Sequence, residues 1–163
     1  MEHPIIGAIH LCASVDGLAL IDLLHDDDFF TWESQRSGAL TDILMDAQSQ
    51  LVQYFEGNRK TFDLPIDWSA TTSFQRRVLA IADQIPYGEV LTYGDIARSM
   101  GMPNGSRAIG NALANNPLPI IIPCHRVIAA DGDLQGYAAR NSIRSKAWLL
   151  QHEGVDIERQ KLG

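Results

Sequence analysis

The sequence predicts an α/β (α+β) chain of two small domains. A sheet-plus-helix domain over residues 1–70 precedes a mainly helical, winged helix-turn-helix-like domain over residues 73–163 that carries Cys124, the candidate reactive cysteine. Three observations lead there. Up to residue 64, extended apolar blocks are followed by one long helical period, whereas from residue 73 short helical segments follow one another, punctuated by Gly and Pro. Charge divides at the same place: residues 1–70 hold 3 Lys/Arg against 12 Asp/Glu, a balance of −9, and residues 71–163 hold 10 against 8, a balance of +2. Finally, the apolar run Ile120-Ile121-Ile122 leads directly into Pro123-Cys124-His125-Arg126, which puts a thiol beside basic groups at the end of a buried segment.

Pro4 to Cys12 reads as a strand, Ser14-Val15-Asp16-Gly17 as a turn, and Leu18 to Leu24 as the returning strand of a hairpin. The run Asp26-Asp27-Asp28 is expected to be a solvated loop. From Gly38 to Phe55 the apolar residues Leu40, Ile43, Leu44, Ala47, Leu51, Tyr54 and Phe55 fall at helical spacing, with Gly57-Asn58 as the stop. Thr61 to Leu64 is expected to add a strand, and a polar connection to Thr72 marks the domain boundary. Ser73 is expected to cap a helix over Phe74–Ile85, closed by Pro86. Thr92-Tyr93-Gly94-Asp95 has capping-box spacing ahead of a short helix, with Asp in the place of Glu. After the turn Gly101 to Gly105, Ser106 is expected to cap a third helix through Ala114, ended by Asn116-Pro117. Two short helices joined by a Gly/Pro turn read as helix-turn-helix. The isoleucines Ile120–Ile122 read as a short buried strand that Pro123 ends.

A chain of 163 residues is long enough to bury a core. It has no apolar run long enough for a membrane span and no signal-peptide pattern. Cys12 and Cys124 are therefore expected to be free thiols in a reducing compartment, the cytoplasm or nucleoid. Cys12 reads as a small buried hydrophobe. His3, His10 and His25 with Cys12 do not make metal-ligand spacing, so neither metal nor cofactor is expected. The net charge of −7 sits almost wholly in the first half, so only the second half is a credible nucleic-acid surface, and one with few phosphate contacts.

A lone Cys-His pair most plainly reads as a structural cysteine beside a surface histidine. The flanking motifs change that reading. Asn115-Asn116-Pro117-Leu118-Pro119, Pro123-Cys124-His125-Arg126-Val127, Gly136-Tyr137 and Trp148 to Gly154 occur in order. Together they resemble the O6-alkylguanine-DNA alkyltransferase family, over Ser73 to Gly154. The resemblance implies repair of alkylated DNA by irreversible, single-turnover transfer of the alkyl group from O6-alkylguanine to Cys124 after base flipping. O4-alkylthymine is left open as a further substrate. It also implies a monomer that meets DNA from the minor-groove side.

The resemblance further implies the residue roles. Cys124 is the nucleophile, His125 its water-bridged base, and Glu153 the carboxylate that orients the histidine. Asn116 braces the active-site turn. Tyr93 crowds the phosphate next to the flipped base, and Arg107 takes the place of the extruded base. Tyr137 stacks beside that base, and backbone groups near Cys124, Val127 and Ala138 read its edge. From the residues alone, Asn116 is a helix stop, Glu153 a surface residue at a helix end, and Tyr93 a partly buried aromatic. The thin helix of Ala108, Gly110, Ala112 and Ala114 either packs tightly inside or approaches a groove closely. Arg126 is expected to tie loops together through backbone carbonyls. One departure stands out. Ala139 and Arg140 stand where the family has glycines, and the longer chain to Trp148 is expected over the pocket mouth, where Arg140 and Arg144 either meet phosphate, the favoured reading, or solvate a surface loop. A cysteine hydrolase and a non-catalytic lesion binder remain as competing classes.

Overall fold

The computed structural model describes residues 2–3, 5–24, 38–134 and 143–158. Several expectations fall outside the described residues: His25, the Asp26–Asp28 run, Tyr137, Ala138 and the Ala139-Arg140 departure. The fold class is mixed helix and small sheet, as read from the sequence, in two compact units, Met1–Ala70 and Thr71–Gly163. Among the described residues no helix is long and apolar enough to cross a membrane.

In the first unit, β1 (Glu2–His3), β2 (Gly7–Ser14) and β3 (Gly17–Leu24) form an antiparallel sheet in that order. The register shifts between Cys12, opposite Leu20, and Ala13, opposite Leu18. The extra residue, Ala19, flips the side-chain parity of β3. That is why Leu18 is buried on one side of the bulge and Ile21 and Leu23 on the other. Cys12 is not the buried hydrophobe expected. Leu20 opposite it is 42% exposed, and directly opposed residues share a face, so Cys12 is only partly covered. Helix α1 (Gly38–Phe55) packs on β2 and β3, and its Ala47, Leu51 and Tyr54 join Ile6, Ile9, Leu18, Ile21 and Leu23 in the core. Thr61 to Leu64 does not form the expected strand. Instead Pro65 to Asp67 brackets β3 through Leu18 N–H to Pro65 O at 2.8 Å and Asp67 N–H to Leu18 O at 3.0 Å. Gly17 makes that approach possible, because a Cβ there would lie 2.5 Å from the Pro65 carbonyl.

The second unit begins with α2 (Ser73–Asp83). Its cap is Thr72 rather than Ser73: the Thr72 hydroxyl accepts from Gln75 N–H at 3.1 Å. Helix α2 buries Val78, Leu79 and Ala82. β4 (Leu91–Thr92) leads into α3 (Tyr93–Ser99) through the expected capping box, with Asp95 N–H to Thr92 Oγ1 at 3.1 Å and Thr92 N–H to Asp95 Oδ2 at 2.8 Å. Helix α4 (Ser106–Ala114) has Gly105 as cap residue without a side-chain bond, so Ser106 is inside the helix. β5 (Val127–Ile128) pairs in parallel with β4, and α5 (Ile143–His152) follows.

The isoleucine run is not a strand. Ile122 N–H reaches back to Leu118 O at 2.9 Å, a single tight turn that needs one left-handed residue, and Ile120 supplies it at φ 76°. A β-branched residue there is strained by about 1–3 kcal/mol, held in place by the burial of Ile120, Ile121 and Ile122.

Candidate active site around Cys124

Three successive constraints place Cys124. The side-chain amide of Asn116 clamps the isoleucine turn, donating to Ile122 O at 2.9 Å and accepting from Leu118 N–H at 3.0 Å. Pro123, at φ −80° and ψ 63°, then makes an inverse γ-turn in which Cys124 N–H meets Ile122 O at 2.8 Å. The next three residues, Cys124–Arg126, form one turn of 3-10 helix. Val127 and Ile128 pair with Leu91 and Thr92, which brings Tyr93, the first residue of α3, to the cysteine's side.

Cys124 is 4% exposed. Burial pushes its thiol up; a hydrogen bond with Asn116, the Lys146 charge and the local backbone N–H groups pull the other way without winning. His125 is completely buried beside Glu153, with Nε2 to Oε1 at 2.7 Å. Burial pulls the imidazole down, against the raising effect of Glu153, and the charges of Arg126 and Lys146 add to that lowering, so the neutral form is favoured. Burial alone would raise the Glu153 carboxyl. Hydrogen bonds and charge from His125 and Arg126 outweigh it and hold the group well below the usual carboxylate range. An ionised carboxylate only accepts, so the hydrogen sits on Nε2 and Nδ1 keeps its lone pair. His125 Nδ1 is the buried side-chain polar atom without a protein partner among the described residues.

Glu153 follows α5 directly, where the helix dipole is negative and a carboxylate is disfavoured. Three donor groups compensate. His125 is one, Gly88 N–H is another at 3.4 Å from Oε2, and Arg126 places Nε 2.8 Å from Oε2 and Nη2 3.0 Å from Oε1. Arg126 is thus more than the expected loop tie. One bond of that kind exists, Nη1 to Ile85 O at 2.6 Å, but the guanidinium is chiefly the partner of Glu153.

Lys146 is the functional candidate that sequence reasoning missed. It is 0% exposed, donates to Val127 O at 2.6 Å, and stands 3.4 Å from the Tyr93 hydroxyl. Burial drags its ammonium down to about 8, the Cys124 and Asp133 charges opposing. Burial, then the Cys124 charge, pushes Tyr93 up to about 12. A signal was available: Lys146 lies three, four and seven residues before Leu149, Leu150 and Glu153, on the buried stripe of α5.

Arg107 stands apart from this cluster, exposed in the first turn of α4, and Ala108 and Asn111 of the same helix are exposed as well. The same helix buries Ile109, Ala112 and Leu113, and Gly110 faces the Tyr93 ring, where a Cβ would sit 3.8 Å away. The packed reading of the thin helix therefore holds for one face, while the face with Arg107, Ala108 and Asn111 is exposed. Gln75 ties the helix end to α2 by donating to Asn115 O at 2.7 Å. Arg144 is exposed in the first turn of α5.

Comparison with known proteins adds independent findings. Residues 73–155 match the family model of the 6-O-methylguanine DNA methyltransferase DNA-binding domain, and residues 1–68 that of its ribonuclease-like domain. A methylated-DNA–protein-cysteine methyltransferase of Methanosarcina acetivorans is 46% identical over 157 residues, 94% of this chain and 95% of that protein. The constitutive enzyme of that name in Bacillus subtilis is 40% identical over 138 residues, 83% of this chain and 82% of that protein. Among solved structures, Mycobacterium tuberculosis OGT in complex with DNA superposes with a TM-score of 0.80 at 34% identity, covering 100% of this chain and 97% of that one.

Proposed function

Since this chain belongs to the O6-methylguanine-DNA methyltransferase family, we propose that it repairs DNA by moving a methyl group from O6-methylguanine onto its own Cys124. The observation that carries the reading is the buried sequence of groups behind the thiol. His125 holds its Nε2 hydrogen against Glu153 and offers an Nδ1 lone pair, immediately after the cysteine in the chain.

A thiol cannot reach the O6 alkyl carbon within the base stack, so the guanine leaves the duplex. Arg107, exposed on α4, suits the gap left behind, and the narrow outer face around Ala108 suits a minor groove. In the displacement the Cys124 proton passes through water to His125 Nδ1. The new S–C bond forms as the C–O6 bond breaks, and the bonding pair stays on the guanine, which takes up a proton. Glu153 stabilises the imidazolium, while Asn116 and Lys146 favour the thiolate. Tyr93 borders the thiol with a hydroxyl kept protonated, a donor for the base or its phosphate. Tyr137 and the backbone of Val127 and Ala138 complete the base pocket in this reading. Water does not attack a thioether carbon, so each molecule acts once. In this reading it works as a monomer, on DNA in the cytoplasm or nucleoid.

The test is a titration of O6-methylguanine duplex with the purified protein. Methylated sites lost should equal protein added and then stop. Continued loss beyond one site per protein, or no loss at all, overturns the proposal.

A further inference from the structure

Arg126 lies in the same turn as the nucleophile and the base, yet the reaction described above gives it no task. Its guanidinium spans both oxygens of Glu153, and Oε1 is shared between Arg126 Nη2 at 3.0 Å and His125 Nε2 at 2.7 Å. The side chain is itself anchored by Ile85 O and lies under the Tyr87 ring, 5.8 Å from its centroid. We propose that Arg126 is a positioning residue of the relay: by clamping Glu153 it holds His125 as a neutral imidazole whose Nδ1 can accept the thiol proton. The inference rests on the alkyl-transfer reading.

Charge explains why a clamp is needed. A carboxylate alone in a buried site holds a neighbouring histidine as imidazolium, because an opposite charge favours the charged form. A histidine already protonated at rest has no lone pair left for the thiol. With Arg126 present, Glu153 and Arg126 cancel, and the resting histidine stays neutral. Proton transfer from Cys124 Sγ to His125 Nδ1 then creates thiolate and imidazolium together and leaves the total charge of the site unchanged. The other titratable groups facing the cluster work around this balance. Asp83, at the end of α2, feels the Arg126 charge, and Tyr87, in the turn after it, feels both Glu153 and Arg126. Tyr93 on α3 and Lys146 on α5 border Cys124, and Lys146 further disfavours imidazolium. Among these, Arg126 makes two direct bonds to the carboxylate that bonds His125.

The experiment combines histidine nitrogen NMR with single-turnover transfer across the pH range. In the wild-type protein the His125 signals should be those of a neutral Nε2–H tautomer down to about pH 6, below the ordinary histidine midpoint. In Arg126→Met the imidazolium should persist at that pH. The acid limb of the transfer rate should then rise by about two pH units, giving a roughly tenfold loss near pH 6 and near wild-type rate near pH 8.5. Arg126→Lys keeps a charge there and should keep the wild-type limb. Imidazolium in the wild type at about pH 6.5 overturns the proposal. So does a uniform loss in Arg126→Met with an unmoved limb, which is what a purely structural arginine would give. If Arg126→Met does not fold, the wild-type spectrum and Arg126→Lys still decide. The spectrum needs no methyl transfer, so failure of the wild type to repair DNA would sink the functional reading separately.

Discussion

Replacing Lys146 with Met tests how far its charge offsets the burial that disfavours the Cys124 thiolate. Lys146 is fully buried, and its ammonium, ordinarily near 10.5, falls to about 8. Because the folded value is depressed, the unfolded chain binds more protons between those two values. Wild-type stability should therefore carry the full cost of the buried ammonium below about pH 8 and recover as pH rises toward about 10.5. At 1.36 kcal/mol per pH unit the cost is about 3 kcal/mol. Met fills the same volume without that cost, but it removes the donor 2.6 Å from the buried Val127 carbonyl, worth about 1–3 kcal/mol. The two effects nearly cancel. Lys146→Met should thus lie within about 2 kcal/mol of wild type at neutral pH and lose the alkaline gain. Its transfer rate should fall about tenfold or more, since a neighbouring opposite charge is worth at least about one pH unit to a thiol. Denaturant titrations from neutral to alkaline pH and single-turnover transfer measure the two sides. A transfer rate within about twofold of wild type would remove Lys146 from the chemistry. A loss of more than about 4 kcal/mol would show that burial of the charge is not the dominant cost.

Glu153→Gln should slow transfer at least about tenfold and cost about 3 kcal/mol of stability, because Arg126 loses its buried counter-charge; DNA affinity within about twofold of wild type would confine the effect to the relay. DNA binding should show a log–log salt slope shallower than about −3, since residues 92–116 carry only Arg98 and Arg107 as Lys/Arg and Arg98 is bonded to Asp95; a slope near −7 would mean the binding surface has been misplaced. Gly17→Ala should lower stability by more than about 2 kcal/mol, because its Cβ would collide with the Pro65 carbonyl; an unchanged denaturant midpoint would contradict the bracketing of β3.

Local signals carried most of the architecture. The period of α1 located it from Gly38 to Phe55, and the Thr92–Asp95 capping box marked the start of α3, because both depend on neighbours a turn away. The isoleucine run misled for the opposite reason. Burial and β-branching favour a strand there, but the clamp from Asn116 bends the backbone into a turn, a tertiary effect absent from any short window. Thr61 to Leu64 failed similarly, since β3 is bracketed by the following residues through Gly17. In the site, the motif around Cys124 pointed to the thiol and to the histidine that the structure pairs with Glu153. The pairing of Arg126 with Glu153 was not legible, because the two lie 27 residues apart and meet only across the fold. Lys146 was overlooked because a lysine on a helix is usually solvated, although its place on the apolar stripe was visible.

The central claim is that the sulfur of Cys124 accepts the alkyl group. Peptide mass mapping after reaction with O6-methylguanine DNA tests it directly, because the chain has one other cysteine, Cys12, partly exposed and lacking a basic partner that lowers its pKa. The account predicts one methyl group per protein, on the peptide containing Cys124, and none in Cys124→Ser. Methyl on Cys12, or transfer that survives Cys124→Ser, would contradict it.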